Sequence, residues 1–269
     1  MQIESKVFVV TGGGSGIGRA LTLALVRKGA RVAAVDINEK TLQETVELAG
    51  DLKDKISIHV VNIADKAAVE ALPGAVIAAH KVVDGIINNA GVIQKFVRFK
   101  DLAYAEIERM IDVNFYGTIY MTKAFLPLLF QRPEANITNV SSMGGFLPVP
   151  GQTMYGASKA AVKLFTEGLH SELIGTNVHA TVVFPGAIET NISVNSGVSI
   201  KTSDPSEKPK SMKTTPAPVA AEKIIEGIER NSFRVLIGSD AKLMDFLSRT
   251  APKAAAGFIY KMMGSLLSD

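Results

Sequence analysis

The chain contains no cysteine, which excludes disulfides, thiolate metal ligands and a cysteine nucleophile. Its four histidines, His59, His80, His170 and His179, are scattered, so no spacing typical of a metal site appears. Charge of either sign is sparse: charged residues make up 20% and the net charge is only +3. No Arg/Lys-rich run with interleaved aromatics is present, and a nucleic-acid partner is not expected. No uninterrupted apolar run reaches the roughly 18 residues of a membrane-spanning helix. Met1-Gln2-Ile3-Glu4-Ser5-Lys6 lacks the pattern of a secretory signal. A cytoplasmic location is the resulting expectation. Hydrophobic residues at 47% of 269 are enough for one sizeable core. Neither a repeat nor a second glycine-rich unit is visible, so residues 1–269 are read as one domain.

What the sequence does contain begins at Val7-Phe8-Val9-Val10, an apolar run of β-formers suited to a parallel strand covered on both faces. Thr11-Gly12-Gly13-Gly14-Ser15-Gly16-Ile17-Gly18 follows, and Arg19 to Lys28 reads as a helix closed near Gly29. Glycines between a strand and a helix let backbone N–H groups approach a pyrophosphate, which the helix dipole also favours. A second strand, Arg31 to Val35, delivers Asp36, placed to accept from ribose hydroxyls and to repel a 2′-phosphate. With no Arg or Lys within Gly14-Ser15-Gly16 or next to Asp36, NAD is expected over NADP.

Further strands are expected at Ile56–Val61, ending in Asn62-Ile63, at Val82–Ile87, running into Asn88-Asn89-Ala90-Gly91, and at Ile137–Val140. Two more are expected at Val178–Phe184 and Arg234–Ile237. Helices are expected over Glu39–Leu48, Lys66–Ala79 with a kink or break at Pro73-Gly74, Glu106–Leu129, Val219–Arg230 and much of Ala241–Leu267. This strand–helix alternation implies a Rossmann-type doubly wound parallel sheet of about seven strands. Right-handed crossovers would bring the strand C-terminal ends, and with them the motifs, to one edge.

Tyr155-Gly156-Ala157-Ser158-Lys159 places a phenol and an amine four residues apart, on one side of a helix. Tyr has a pKa of about 10, and a nearby ammonium favours its phenolate. The pair is therefore a candidate proton-transfer device. Ser141-Ser142 ends the strand before it.

Together these stretches resemble the short-chain dehydrogenase/reductase family, in its compact single-domain branch, from Val7 to about Thr190. Thr11 to Gly18 is similar to the family's cofactor loop, and Asn88 to Gly91 to its Asn-Asn-Ala-Gly element. Asn114, Ser142, Tyr155 and Lys159 fit its catalytic tetrad, and Pro185-Gly186 with Thr190 its nicotinamide segment. The resemblance implies that Tyr155 exchanges a proton with the substrate oxygen, Ser142 orients that oxygen, and Lys159 binds the nicotinamide ribose. Asn114 would hold a water that links Lys159 to solvent. Gly12, Ser15, Gly16, Ile17, Gly18, Asp36, Asn62, Ile63, Asn89, Tyr155, Lys159, Ile188 and Thr190 would contact NAD. Position 62 carries Asn where the family usually has Asp, and only its spacing to Tyr155 selects Ser142 over Ser141.

The implied activity is NAD-dependent interconversion of a secondary alcohol and a ketone. The competing reading is a non-catalytic NAD-binding regulator that has kept the fold. An irregular stretch over about 190–218, with Lys201, Lys208, Lys210 and Lys213, is read as a substrate lid. The region from Gln94 to Phe99 and the apolar Phe146, Leu147, Val149 and Met154 are expected to line a substrate pocket. The tail from Ala251 to Met263, apolar with scattered lysines, could lie on a membrane, although packing on the domain or on a partner subunit is the expectation. A homo-oligomer, dimer or tetramer, is implied by the resemblance.

Overall fold

The computed structural model describes residues 1–198 and 214–267. The core of the expected lid, with its four lysines, therefore lies outside the described residues. In chain order the elements are β1 (Val7–Thr11), α1 (Gly16–Arg27), β2 (Arg31–Asp36), α2 (Glu39–Leu48), β3 (Ile56–Val60), α3 (Lys66–His80) and β4 (Gly85–Asn88). Then come α4 (Tyr104–Ile111), α5 (Gly117–Leu129), β5 (Ala135–Val140), α6 (Thr153–Glu172) and β6 (Val178–Pro185). The two-residue strands β7 (Ile188–Glu189) and β8 (Thr215–Pro216) flank α7 (Ile192–Asn195) and form a separate small parallel pair. α8 (Ala217–Glu229), β9 (Arg234–Ile237), α9 (Ser239–Thr250) and α10 (Pro252–Met263) complete the chain.

The main sheet has seven strands in the order β3-β2-β1-β4-β5-β6-β9, and every pairing in it is parallel. Side chains alternate between the two faces, both of which are covered, so the central strands β1 and β2 are apolar along most of their length. Phe8, Val10, Val32, Ala34 and Ile87 face one layer, packed with Leu21 and Leu25 of α1 and Ile224, Ile225 and Ile228 of α8. Val9, Ala33, Val35 and Ile86 face the other, packed with Val76 of α3, Met121 and Phe125 of α5, and Leu169 of α6. The chain runs outward from β1 to β3, then returns to place β4 on the other side of β1. At that reversal the loops after β1 and β4 diverge and leave a crevice, the usual ligand site of an open α/β sheet.

Four expectations change. α3 runs unbroken through Pro73. The Asp65 carboxylate caps the Ala67 and Ala68 amides at 3.0 and 3.2 Å, and Val69, Leu72 and Val76 are held in the core, which offsets the one bond proline forfeits. Val82 to Asp84 precede β4 rather than belong to it, because Asp84 serves as a buried clamp. Its Oδ2 accepts from Val7 N at 2.9 Å and its Oδ1 from Arg132 Nε at 2.8 Å. The long helix expected over Glu106–Leu129 starts at Tyr104 and is interrupted by a π-turn at Asp112–Tyr116. Phe146, Leu147 and Val149 belong to a third apolar cluster with Met244 of α9 and Ala255 and Ile259 of α10. Leu147 is buried in it and Phe146 and Val149 pack half-buried against it, and this cluster, rather than the crevice, is what the apolar tail packs on.

Candidate functional site

The first wall of the crevice is the glycine turn between β1 and α1. Gly12 and Gly16 adopt φ of +71° and +51°, which side-chain-bearing residues rarely take. A Cβ on Gly18 would collide with the Gly12 carbonyl, so that glycine lets the turn fold back onto α1. Gly13 N donates to Val35 O at 3.0 Å. Asp36, at the end of β2, accepts from Gly14 N at 3.0 Å and from Asn38 N at 3.1 Å, which fixes its carboxylate at the rim.

A cation that the sequence around Asp36 does not announce stands close by. Arg19 folds back from α1, donating from Nε to Gly14 O at 2.9 Å and from Nη2 to Glu44 Oε2 at 2.9 Å. Both bonds, with a further one to Thr41 O, direct the guanidinium along α2.

The second wall is the turn after β4. Thr11 Oγ1 accepts from the amides of Asn89 and Ala90 at 2.9 and 3.0 Å, and Asn89 Nδ2 donates to Thr11 O at 2.9 Å. Asn88 is buried and donates to Asn139 Oδ1 at 2.8 Å. Asn139 in turn donates to Thr166 Oγ1 of α6 at 2.9 Å. This buried chain ties β4, β5 and α6 together, although the Asn88 carboxamide oxygen itself meets no partner. Asn62 accepts from Ala64 N at 3.0 Å in an Asx turn at the far end of the crevice.

The third group gathers at the end of β5. Ser141 is buried and donates to Lys159 O at 2.7 Å, which makes it a strut between β5 and α6. Ser142 instead faces the crevice, accepting from Gly144 N at 3.0 Å beside the Tyr155 phenol. The two adjacent serines, indistinguishable by type, are thus separated by direction. Burial pushes the Tyr155 phenol above its usual range, and the neighbouring Ser142 hydroxyl partly offsets this.

Lys159 is 4% exposed, and its ammonium donates to Val140 O at 2.9 Å. Burial lowers its pKa to about 8. The expectation that the ammonium would bring Tyr155 down is therefore modified. Desolvation dominates both groups, and the lysine turns towards the strand end.

Asn114, fully buried, sits in the π-turn. Its Oδ1 accepts from Val92 N at 2.8 Å, and its Nδ2 donates to Val92 O at 2.9 Å and to Ser158 Oγ at 3.0 Å. It lies behind the crevice surface, but a Cβ built on Gly91 would meet both Asn114 Oδ1, at 3.0 Å, and Lys159 Nζ, at 3.1 Å. Gly91 thus preserves a narrow space between amide and ammonium.

These three groups line one crevice of about 790 Å³. Gly12, Ser15, Gly16, Ile17, Asp36, Asn62, Ile63, Asn89, Ser142, Tyr155, Lys159, Ile188 and Thr190 all reach its surface. Gly18 and Asn114 support it from behind. A strap crosses the mouth, with Asn195 Nδ2 donating to Ser15 Oγ at 2.9 Å. Beside it, Ser196 Oγ accepts from Ile93 N at 3.0 Å and its carbonyl accepts from Arg109 Nη2 at 2.9 Å. Arg109 and Ser196 were not singled out in the sequence; only the fold brings α4 and α7 together. Gln94, expected at the pocket surface, is instead buried.

Among the described residues no group of three or more His, Asp or Glu could hold a metal ion. Nor is any helix long and apolar enough to cross a membrane. The groups present fit a dinucleotide: open backbone amides at a helix N-terminus, a rim carboxylate and a buried lysine lie along one continuous crevice.

Comparison with known proteins agrees. Residues 6–199 match a family model described as short chain dehydrogenase. The chain is 37% identical over 251 residues to a Mycobacterium tuberculosis protein named SadH and assigned as an oxidoreductase, covering 91% of each chain. It is 36% identical over 192 residues to the 3-oxoacyl-[acyl-carrier-protein] reductase FabG of Thermotoga maritima, covering 71% of this chain and 77% of that one. Among solved structures, a short chain dehydrogenase/reductase from Burkholderia phymatum in complex with NAD superposes with a TM-score of 0.82 at 24% identity. That match spans 93% of this chain and 96% of the other.

Proposed function

The chain belongs to the short chain dehydrogenase family of oxidoreductases, and from that premise we propose that it interconverts a secondary alcohol and a ketone using NAD. The observation that carries this reading is the convergence of Ser142, Tyr155 and Lys159 at one end of the crevice that has Asp36 at the other.

Bound NAD would accept a hydride from the alcohol carbon, or NADH return it to the ketone. Ser142 and Tyr155, both lining the crevice, would both contact the substrate oxygen. Tyr155 takes the proton from the hydroxyl in oxidation and returns it in reduction, while Ser142 holds the oxygen in line. Lys159, on the same side of α6 one turn later, would hold the nicotinamide ribose, and a water at the Gly91 space would connect it with Asn114. The name of the Thermotoga relative points to reduction of a 3-oxoacyl ketone, which supports the proposed bond type.

NAD is proposed over NADP because Asp36 stands where a 2′-phosphate would go, while Arg19 is engaged by Glu44 and backbone carbonyls. A cytoplasmic homo-oligomer, all 269 residues forming one domain, completes the proposal.

The test is a screen of NAD and NADP reduction over secondary alcohols and 3-hydroxyacyl thioesters, followed by Tyr155→Phe. The variant should bind NADH as the parent does and lose turnover at least 100-fold. Equal turnover in the two proteins would remove Tyr155 from its assigned role.

A further inference from the structure

The N-terminus of α6 is capped from sixty residues away. Its own N-cap residue, Gln152, makes no side-chain cap bond. The first-turn amides are instead met by the carboxamide of Gln94, whose Oε1 accepts from Met154 N at 2.8 Å and from Tyr155 N at 3.0 Å. Gln94 Nε2 donates to Gly151 O at 2.9 Å, and Gln152 Nε2 donates to Gln94 O at 2.8 Å. At 2% exposure this carboxamide exchanges no bonds with bulk water. An unmet amide there would bear its full desolvation cost. The bond to Tyr155 N is direct, so whatever fixes Gln94 fixes the backbone from which the phenol projects.

The two residues before Gln94 hold the rest of the site. Val92 is clamped through both N and O by Asn114, and Ile93 N donates to Ser196 Oγ of the strap. Three consecutive residues therefore anchor the π-turn, the strap and the Tyr155 helix to the end of β4.

We propose that Gln94 is a positioning residue which sets the first turn of α6, and hence the reach of the Tyr155 hydroxyl towards Ser142 and the substrate oxygen. This rests on the proposed role of Tyr155. A neutral amide is the side chain that meets the geometry, because one end must accept two N–H groups and the other must donate to the Gly151 carbonyl. Glutamate keeps the acceptors, loses the donor and brings a negative charge to the backbone of the residue whose phenol must ionise. Leucine keeps the volume and loses every polar contact.

The experiment compares Gln94→Leu, Gln94→Glu and Gln94→Asn with the parent by four measurements. These are NADH binding by fluorescence, thermal midpoint, kcat and KM with the best alcohol of the screen, and alkaline phenolate absorbance. Subtracting the spectrum of the matching Tyr155→Phe double variant isolates the Tyr155 titration. Gln94→Leu should lose at least tenfold in kcat while NADH affinity changes less than twofold. Gln94→Glu should recover rate at alkaline pH, with the Tyr155 titration and the kcat limb both displaced upward. If Gln94→Leu does not fold, the Glu and Asn variants carry the test, Asn being too short to reach the amides. Equal kcat in all variants would overturn the proposal. So would losses that follow the thermal midpoint alone with the Tyr155 titration unmoved. Full turnover in Tyr155→Phe by itself would instead refute the tyrosine assignment and leave the Gln94 titration result standing as geometry without function.

Discussion

The Lys159 ammonium is bonded to the carbonyl of Val140, 2.9 Å away at the end of β5, inside a pocket that strips it of water. A lysine whose pKa falls from 10.5 to about 8 makes the folded state costly at neutral pH. The unfolded chain binds the proton more tightly, so the penalty is complete below about pH 8 and fades as pH rises towards 10.5. It amounts to about 3 kcal/mol.

Lys159→Met should therefore be more thermostable than the parent at pH 7 by a few degrees, while losing its activity. The gain should shrink as the pH is raised through the window in which the wild-type lysine deprotonates. Thermal unfolding at pH 7 and pH 10 checks both parts. A variant less stable at pH 7, or equally shifted at both, would show that burial of this amine is not costly.

Asp36 makes the opposite use of charge. Its Oδ2 accepts from the Gly14 amide, so the carboxylate is held at the rim. Asp36→Asn preserves the shape and an acceptor, and removes the repulsion. The ratio of kcat/KM for NAD over NADP should fall at least tenfold, or about 1.4 kcal/mol, mainly through better use of NADP. An unchanged ratio would place cofactor choice elsewhere in the crevice.

On the opposite edge of the sheet, Ser57 Oγ is hydrogen-bonded to both His59 Nε2, at 2.8 Å, and His80 Nε2, at 2.7 Å. Burial, with Arg31 and His59 nearby, lowers the His80 pKa from 6.5 to about 4, and burial lowers that of His59. The folded state keeps both rings neutral. Stability is complete above about pH 6.5 and is lost as pH falls towards 4, by about 3 kcal/mol for His80. His80→Gln should flatten the fall in thermal midpoint between pH 6.5 and 4 without altering turnover at pH 7.5. A variant curve parallel to the parent's would locate the acid sensitivity in another group.

Local chemistry made some of this legible in advance. β1, the glycine turn and α1 are continuous in sequence, and so are Tyr155 and Lys159; their spacing alone brings them to bear. β9 likewise matches its sequence range, Arg234–Ile237. What the sequence concealed depends on distant partners. Val82 and Val83 have strand propensity but precede β4, because Asp84 turns to meet Val7 and Arg132. Phe146 and Leu147 look like pocket residues until α9 and α10 cover them. Gln94 and Asn114 carry ordinary amides whose partners lie about sixty and twenty residues away. Nothing in their neighbours announces those bonds.

The π-turn at Asp112–Tyr116 acts as a phase setter between two helices. It lets Met110 of α4 and Met121 of α5 both reach full burial while turning Asn114 onto Val92. Regular α-helix advances about 100° per residue. The wider turn absorbs about one such step, so deleting one residue here would restore an ordinary helix with its two halves close to the same phase. Both methionines would keep their burial, and the wide turn that carries the Asn114 amide to Val92 would be lost. This stretch is therefore held to a fixed length more strictly than to a fixed composition.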